Sequence, residues 1–333
     1  MKLEIIAELA QGFEGRPEQA RLLVKAAATA GADAAKLQLV YADELATPDY
    51  KHYGLFRTLE MADEVWAGLA ASAKEWGIAL QLDIFGSRSL QLAERIGVGA
   101  IKLHPTDIAN VGLLEEVARS RVSRVLLGAG GAHMAELTGA LDMLKGKQVV
   151  VLLGFQGYPT PTETNQIARV RALAGKLSRS HPHAVVGFAD HALPDSPLRH
   201  ALAATAVGAG ARVLEKHLTL GQVMKLEDHE SALNPDDFAE FVQVLRGCAA
   251  AIGVTGEAED FGMSEPERGY RNNIRRHVVS SRPLHEADKL GPADLTLKRT
   301  SEGNPLMDLD QAYRKRVKRD LPANAPVSAA DLE

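Results

Sequence analysis

The sequence predicts an α/β chain, a closed parallel (β/α)8 barrel followed by a small second module. Three observations carry that prediction. Eight short apolar runs alternate with eight amphipathic helical stretches. The runs are near-continuously apolar, as strands covered on both faces must be, and the composition changes after Gly253. An open doubly wound sheet is the alternative. No G-x-G-x-x-G follows the first run, which weakens the dinucleotide-binding form of that alternative.

The strands are expected at Leu3 to Ala7, Ala34 to Leu39, Ala79 to Phe85, Ala100 to Leu103, Arg124 to Gly128, Val149 to Gly154, Val185 to Phe188 and Val213 to His217. Helical periodicity fills the gaps at Pro17 to Ala28, Ala62 to Trp76, Ser87 to Ile96, Gly112 to Ser120, Met134 to Leu144, Thr164 to Ser178 and Pro197 to Val207. An eighth helix, Asp236 to Ile252, carries Phe238, Phe241, Val242, Leu245, Ala249 and Ile252 at mostly three- and four-residue steps, a stripe for core packing. The barrel then spans residues 1–253 and a Gly-, Glu- and Pro-containing linker 254–275. In the remaining module, 276–333, Val279 to Leu295 is echoed by Val317 to Leu332, each with a short strand, a turn and an Asp-Leu. A module this small has little core of its own and is expected to dock on a barrel.

Composition narrows the function classes. A formal charge of -5 over 333 residues and a pI near 6.1 point to no polyelectrolyte partner, so nucleic acid is not an expected ligand. The basic run Arg314, Lys315, Arg316, Lys318 and Arg319 reads as a solvated face or a dimer contact. No apolar run is long enough to cross a bilayer and the first residues show no signal-peptide pattern, so a cytoplasmic protein without membrane partners is expected. Cys248, the single cysteine, excludes an internal disulfide and reads as a buried thiol on a helix face.

In a barrel of this kind the chemistry gathers at the C-terminal ends of the strands. There the sequence places Glu8, then Lys36 and Gln38, then Lys102 with Asp107 beyond it, then Gln156 and Tyr158, then His191 and His217. Two parallel strands ending in histidine would hold two imidazoles where a divalent metal could sit; ordinary hydrogen bonds are the alternative. Lysines in a barrel mouth are costly unless they meet an anion. Lys36 and Lys102 therefore suggest a phosphate or carboxylate on the substrate, or internal salt bridges to Glu8 or Asp107. Glu215 would accept an imidazole N–H or pair with a lysine such as Lys216.

These residues stand in stretches that resemble the N-acetylneuraminate (sialic acid) synthase family along nearly the whole chain. The stretches are Ile6-Ala7-Glu8, Gly31 to Gln38, Tyr158-Pro159-Thr160-Pro161, Asp190-His191, Glu215-Lys216-His217-Leu218-Thr219, and Asp228-His229 with Ser231 to Pro235. The tail from Arg275 to Leu332 is similar to the antifreeze-like (SAF) domain that closes these enzymes. The resemblance implies a phosphoenolpyruvate-dependent nonulosonic acid synthase, a transferase with a TIM barrel. Its phosphoenolpyruvate methylene attacks the aldehyde of an open-chain N-acetylated amino sugar such as N-acetylmannosamine. It further implies that His191 and His217 hold Mn2+ or Mg2+, that Lys36, Lys102 and Gln156 bind the donor, that Glu8 and Asp107 face the metal or move protons, and that Gln38, Tyr158 and Asp228 orient the sugar. In the family a domain-swapped homodimer presents an SAF arginine to the partner's sugar, and Arg299 is the positional match.

The chain also departs from the family pattern. Gly12-Phe13 replaces Asn-His, and Asp83-Ile84-Phe85 replaces T-P-F. Pro105 stands at an expected serine, with Thr106 beside it as a substitute donor. Gly128 to Gly131 replaces S-T-G-M and Ala189 replaces a serine, so several hydroxyl donors to phosphate are missing. A different aldose, a different phosphoenolpyruvate condensation, or a non-catalytic sugar-binding relative are the competing readings. The stretch Tyr41 to Tyr53 is expected as a surface loop, or as a cover over the mouth.

Overall fold

A computed structural model describes residues 2–154, 157–253, 262–301 and 304–333. It separates into two compact units, Met1–Gly253 and Val254–Glu333. The first is the expected closed barrel, its eight parallel strands joined in sequence order. The strands are β1 (Glu4–Ala10), β2 (Ala34–Gln38), β3 (Ala79–Ile84), β4 (Ala100–Leu103), β5 (Arg124–Gly128), β6 (Gln148–Leu153), β7 (Ala184–Asp190) and β8 (Val213–His217). β1 closes the ring by pairing with both β2 and β8, which sets Glu8 opposite Lys36 on one side and His217 on the other.

The helices of this unit are α1 (Pro17–Thr29), α2 (Ala42–Leu45), α3 (Tyr53–Leu59), α4 (Asp63–Glu75), α5 (Ser87–Ile96), α6 (Val111–Arg119), α7 (Met134–Met143), α8 (Ala168–Ser180), α9 (Arg199–Gly208) and α10 (Pro235–Ile252). Two of them, α2 and α3, lie in and just beyond the stretch expected as a loop, which is anchored by the buried Tyr41 donating to Asp63 at 2.7 Å. Prolines at the first position of α1 and α10 start those helices where a free N–H would have no partner. The stripe on α10 packs as expected, with Phe238, Phe241, Val242, Leu245 and Ala249 buried, whereas Ile252 is exposed. Cys248 is half-buried, not buried.

Strand alternation divides the apolar residues into two populations. One set, including Ile5, Ala7, Leu37, Leu82, Leu103, Leu127, Val151 and Leu214, faces the helices and makes the main core. The other, Ile6, Ala34, Ala100, Leu126, Val150, Leu152 and Val213, fills the inside of the barrel. Below that plug Arg124 pairs with Glu4, to which Gln81 also donates at 3.3 Å. Above it, at the C-terminal ends of the strands, the interior positions turn polar.

In the second unit the stretch expected as linker contains α11 (Glu265–Ile274), started by a capping box in which Ser264 and Glu267 exchange hydrogen bonds. β9 (His277–Ser280) pairs antiparallel with β10 (Leu295–Lys298) over a core of Val278, Leu284, Leu290, Leu295, Ala312, Val317, Leu321, Val327 and Leu332. The internal repeat has a structural counterpart. Leu284 and Leu321, which hold matching places in the two copies, exchange backbone hydrogen bonds of 2.8 and 2.9 Å with each other. Among the described residues no helix is long and apolar enough to cross a membrane.

Candidate active site

On β8, alternation sends Val213, Glu215 and His217 into the barrel and Leu214 and Lys216 toward the helices. The same rule on β1, β2, β3 and β4 turns Glu8, Lys36, Asp83 and Lys102 inward, so five charged side chains meet above the apolar plug. None is more than a tenth exposed. Lys36 Nζ pairs with Glu8, stands 2.5 Å from Asp83 and lies 3.5 Å from Glu215. Lys102 Nζ lies 2.7 Å from Glu215 and 3.6 Å from both Glu8 and Asp83.

The cluster is electrostatically uneven. Burial pushes the Glu8 carboxyl up to about 7 against the pull of Lys36. Burial also disfavours the Glu215 anion, but Lys102 and Lys36 outweigh it and hold that carboxyl down at about 2. Lys102 is raised well above the ordinary lysine value, because Asp83, Glu215 and Glu8 outweigh its desolvation. One acid in the ring therefore exchanges a proton near neutrality while its neighbour stays charged. That is the separation acid–base chemistry requires.

Over this ring lies a pocket of about 220 Å³ lined by Gln38, Tyr158, His191, His217 and Asp228 together with Glu8, Lys102 and Glu215. The two imidazole centroids are 5.4 Å apart, and the Tyr158 ring lies 5.0 Å from one and 5.2 Å from the other. The Tyr158 hydroxyl meets His217 Nε2. The His191 backbone is held in place, its carbonyl accepting from the Thr160 amide and the Ser231 hydroxyl at 2.9 Å each. Burial lowers His191 to about 4 and His217 well below its ordinary value, so both rings are neutral near pH 7. Asp228 is raised by burial to about 6 and accepts from the Gln11 amide at 3.3 Å.

The donor set fits a divalent cation. Neutral imidazole is the ligating form, and the buried His191 Nδ1 has no hydrogen-bond partner. Among the described residues no group of three or more His, Cys, Asp or Glu side chains encloses a cation site. A cation held by these two imidazoles would take its remaining ligands from water or a substrate oxygen.

Not every expected residue gathers here. Thr106 and Asp107 line an adjoining cavity of about 530 Å³ that shares Gln38 and His104 with the histidine pocket and is walled by Leu45, Ala46, Tyr50, Phe56 and Phe85. Asp107 is engaged locally, accepting from Asn110 at 3.0 Å and from Thr106 at 3.2 Å. The lysines accordingly pair with Glu8, Asp83 and Glu215 and not with Asp107. Glu215 does not pair with Lys216, which alternation puts on the other side of the strand. Gln156 lies outside the described residues. Arg299 is an exposed residue of the second unit and donates to the Ile274 carbonyl at 3.2 Å. Sequence reasoning passed over Asp83 and His104 as site residues. The signal was the two-residue step, which puts Asp83 in phase with Gln81 and His104 in phase with Lys102.

Pro105, Gly128, Leu152 and Ala189 form the apolar wall of the pocket, where the family pattern has hydroxyls at three of the four positions. Two of these departures are a single packing unit. A Cβ added at Gly128 would lie 2.5 Å from Pro105 Cδ and 2.7 Å from Pro105 Cγ, far inside contact distance. Gly128→Ser is therefore expected to cost about 1–3 kcal/mol through overpacking, with part recovered in the Pro105→Ser/Gly128→Ser double variant. Denaturant midpoints of the three proteins check this; a single variant as stable as the parent would show that Pro105 yields.

Comparison with known proteins shows the family of the chain. The NeuB family matches residues 23–257 and the SAF domain matches residues 275–333. The spore coat polysaccharide biosynthesis protein SpsE of Bacillus subtilis is 26% identical, over 98% of this chain and 93% of its own length. The N,N'-diacetyllegionaminic acid synthase of Legionella pneumophila is also 26% identical, over 99% of this chain and 94% of its own. A crystal structure from Chromobacterium violaceum superposes over the whole of both chains with a TM-score of 0.83 at 25% identity. The chain belongs to the NeuB family and carries an SAF domain.

Proposed function

From NeuB family membership and the charged barrel mouth, we propose that the chain is a nonulosonic acid synthase. It would condense phosphoenolpyruvate with the open-chain form of an N-acetylated amino sugar, N-acetylmannosamine or a relative of it. The new bond joins the donor's methylene carbon to the sugar's aldehyde carbon, and the aldehyde oxygen takes up a proton. Water adds to the enolpyruvyl carbon, and phosphate leaves with cleavage of its C–O bond. The observation that carries this reading is the pairing of two neutral imidazoles, one of them with a buried nitrogen that has no hydrogen-bond partner, with a proton-exchanging carboxyl, Glu8, in one buried pocket.

Eight of the site residues have work in that scheme. His191 and His217 would hold Mn2+ or Mg2+, which when bound supplies Lewis acidity to the aldehyde. Glu8, poised near 7, is the group best matched to giving a proton to the developing alkoxide. Gln38, Tyr158 and Asp228 line the pocket at the height of the histidines, where they would fix the orientation of the sugar. Lys36 and Lys102 would face the donor's anionic groups.

The test is phosphate release from phosphoenolpyruvate with Mn2+ across a panel of N-acetylated, 6-deoxy and phosphorylated aldoses. Release that depends on one N-acetylated aldose, and falls away on chelation of the metal, is the expected result. Release only with a phosphorylated aldose would move the chain to another condensation, and release with none would remove the synthase reading.

A further inference from the structure

Asp83, like Glu215, has no task of its own in the proposed reaction, yet it touches both lysines that would receive the donor. Its Oδ1 stands 2.5 Å from Lys36 Nζ and its Oδ2 3.6 Å from Lys102 Nζ, with no exposure to solvent. Glu8 and Glu215 reach the same two ammonium groups. Three carboxylates thus face two ammonium groups in a closed space, and no cation in the ring lacks a counter-ion. A phosphate presented to these lysines must displace a resident carboxylate, and like charges at such spacing repel strongly where the dielectric is low. The facing wall of Pro105, Gly128, Leu152 and Ala189 offers no side-chain donor to offset that repulsion.

We infer that Asp83 is a specificity-determining residue, an internal anion that occupies the binding capacity of Lys36 and Lys102 and so weakens the hold on a phosphate-bearing donor. The inference rests on the reading that the donor's phosphate or carboxylate goes to these lysines. Asp83→Asn is the informative change, because the amide keeps the shape and removes a negative charge that helps to keep Glu8 protonated, so that Glu8 and Glu215 remain as carboxylates for the two ammonium groups. No buried lysine is then stranded. Asp83→Thr, smaller and carrying a hydroxyl donor, is the second variant.

The experiment is calorimetric titration of the full-length, Mn2+-loaded protein with phosphoenolpyruvate, with inorganic phosphate and with uncharged N-acetylmannosamine. Both variants are expected to bind the two anions at least tenfold more tightly than the parent while affinity for the uncharged sugar stays within twofold. A merely structural role would move all three ligands together. Variants that fold with unchanged circular dichroism and bind the anions no better than the parent would overturn the inference. The outcomes separate it from the synthase reading. Tighter anion binding with no phosphate release from any protein keeps the role of Asp83 and removes the synthase. Turnover by the parent without a gain in the variants keeps the synthase and removes the role of Asp83.

Discussion

His217→Ala is expected to lower the rate of phosphate release by about a thousandfold, because a Lewis acid supplies several kcal/mol and each 1.36 kcal/mol is a factor of ten. His217 ends β8 inside the barrel, is buried, and is neutral near pH 7 because burial and the neighbouring His191 disfavour its cation. Among the described residues its Nε2 meets the Tyr158 hydroxyl, a partner that a cation could displace. The variant also loses one of the two imidazoles that would hold the metal, so Mn2+ affinity measured on the resting protein should fall in parallel. Electron paramagnetic resonance of free Mn2+ reads that affinity without turnover. A variant that keeps both its Mn2+ affinity and its rate within threefold of the parent would remove His217 from the metal site.

Lys216→Met should destabilise the fold by about 3–5 kcal/mol, the usual cost of stripping the partner from a buried charge. Lys216 and Asp190 are both fully buried between the barrel and its helices, 3.3 Å apart. The lysine also donates to the Ala192 carbonyl at 2.7 Å, and Asp190 accepts from the Ala192 amide at 2.7 Å. The pair therefore ties β7 to β8 from behind, one residue before each histidine, without entering the pocket. The Asp190→Asn/Lys216→Met double variant should recover much of the loss, since a buried ion pair can often be replaced by neutral groups at little cost. Urea denaturation of the single and double variants gives the comparison. A single variant within 1 kcal/mol of the parent would show that Asp190 finds another partner.

Legibility differed between backbone and site for a physical reason. A strand buried on both faces must be apolar nearly throughout, and a helix lying on it must be amphipathic, so all eight strands and the eight principal helices stood in the sequence to within a few residues. The capping box at Ser264 and Glu267 was equally local, but it lay in a stretch whose Gly and Pro content outweighed it, and α11 was passed over. Histidines at strand ends and lysines in the barrel mouth could be named because their types are rare at such positions, Tyr158 because it follows the sixth strand, and Asp228 only through the family resemblance.

What the sequence by itself determined was the order of elements, the barrel, the second module with its repeat, and the list of polar residues at the strand ends. What only the tertiary structure decided was which of those residues are partners. Closure of the barrel brings Glu8, Lys36, Asp83, Lys102 and Glu215, from five strands, within ion-pair reach, and puts Thr106 and Asp107 in the neighbouring cavity. It also sets Pro105 against Gly128, so that two substitutions far apart in the chain answer to one volume. Alternation along a strand is a local property and can be read from neighbours two residues apart. Charge balance and close packing are sums over strands that meet only when the sheet closes, and no segment carries them alone.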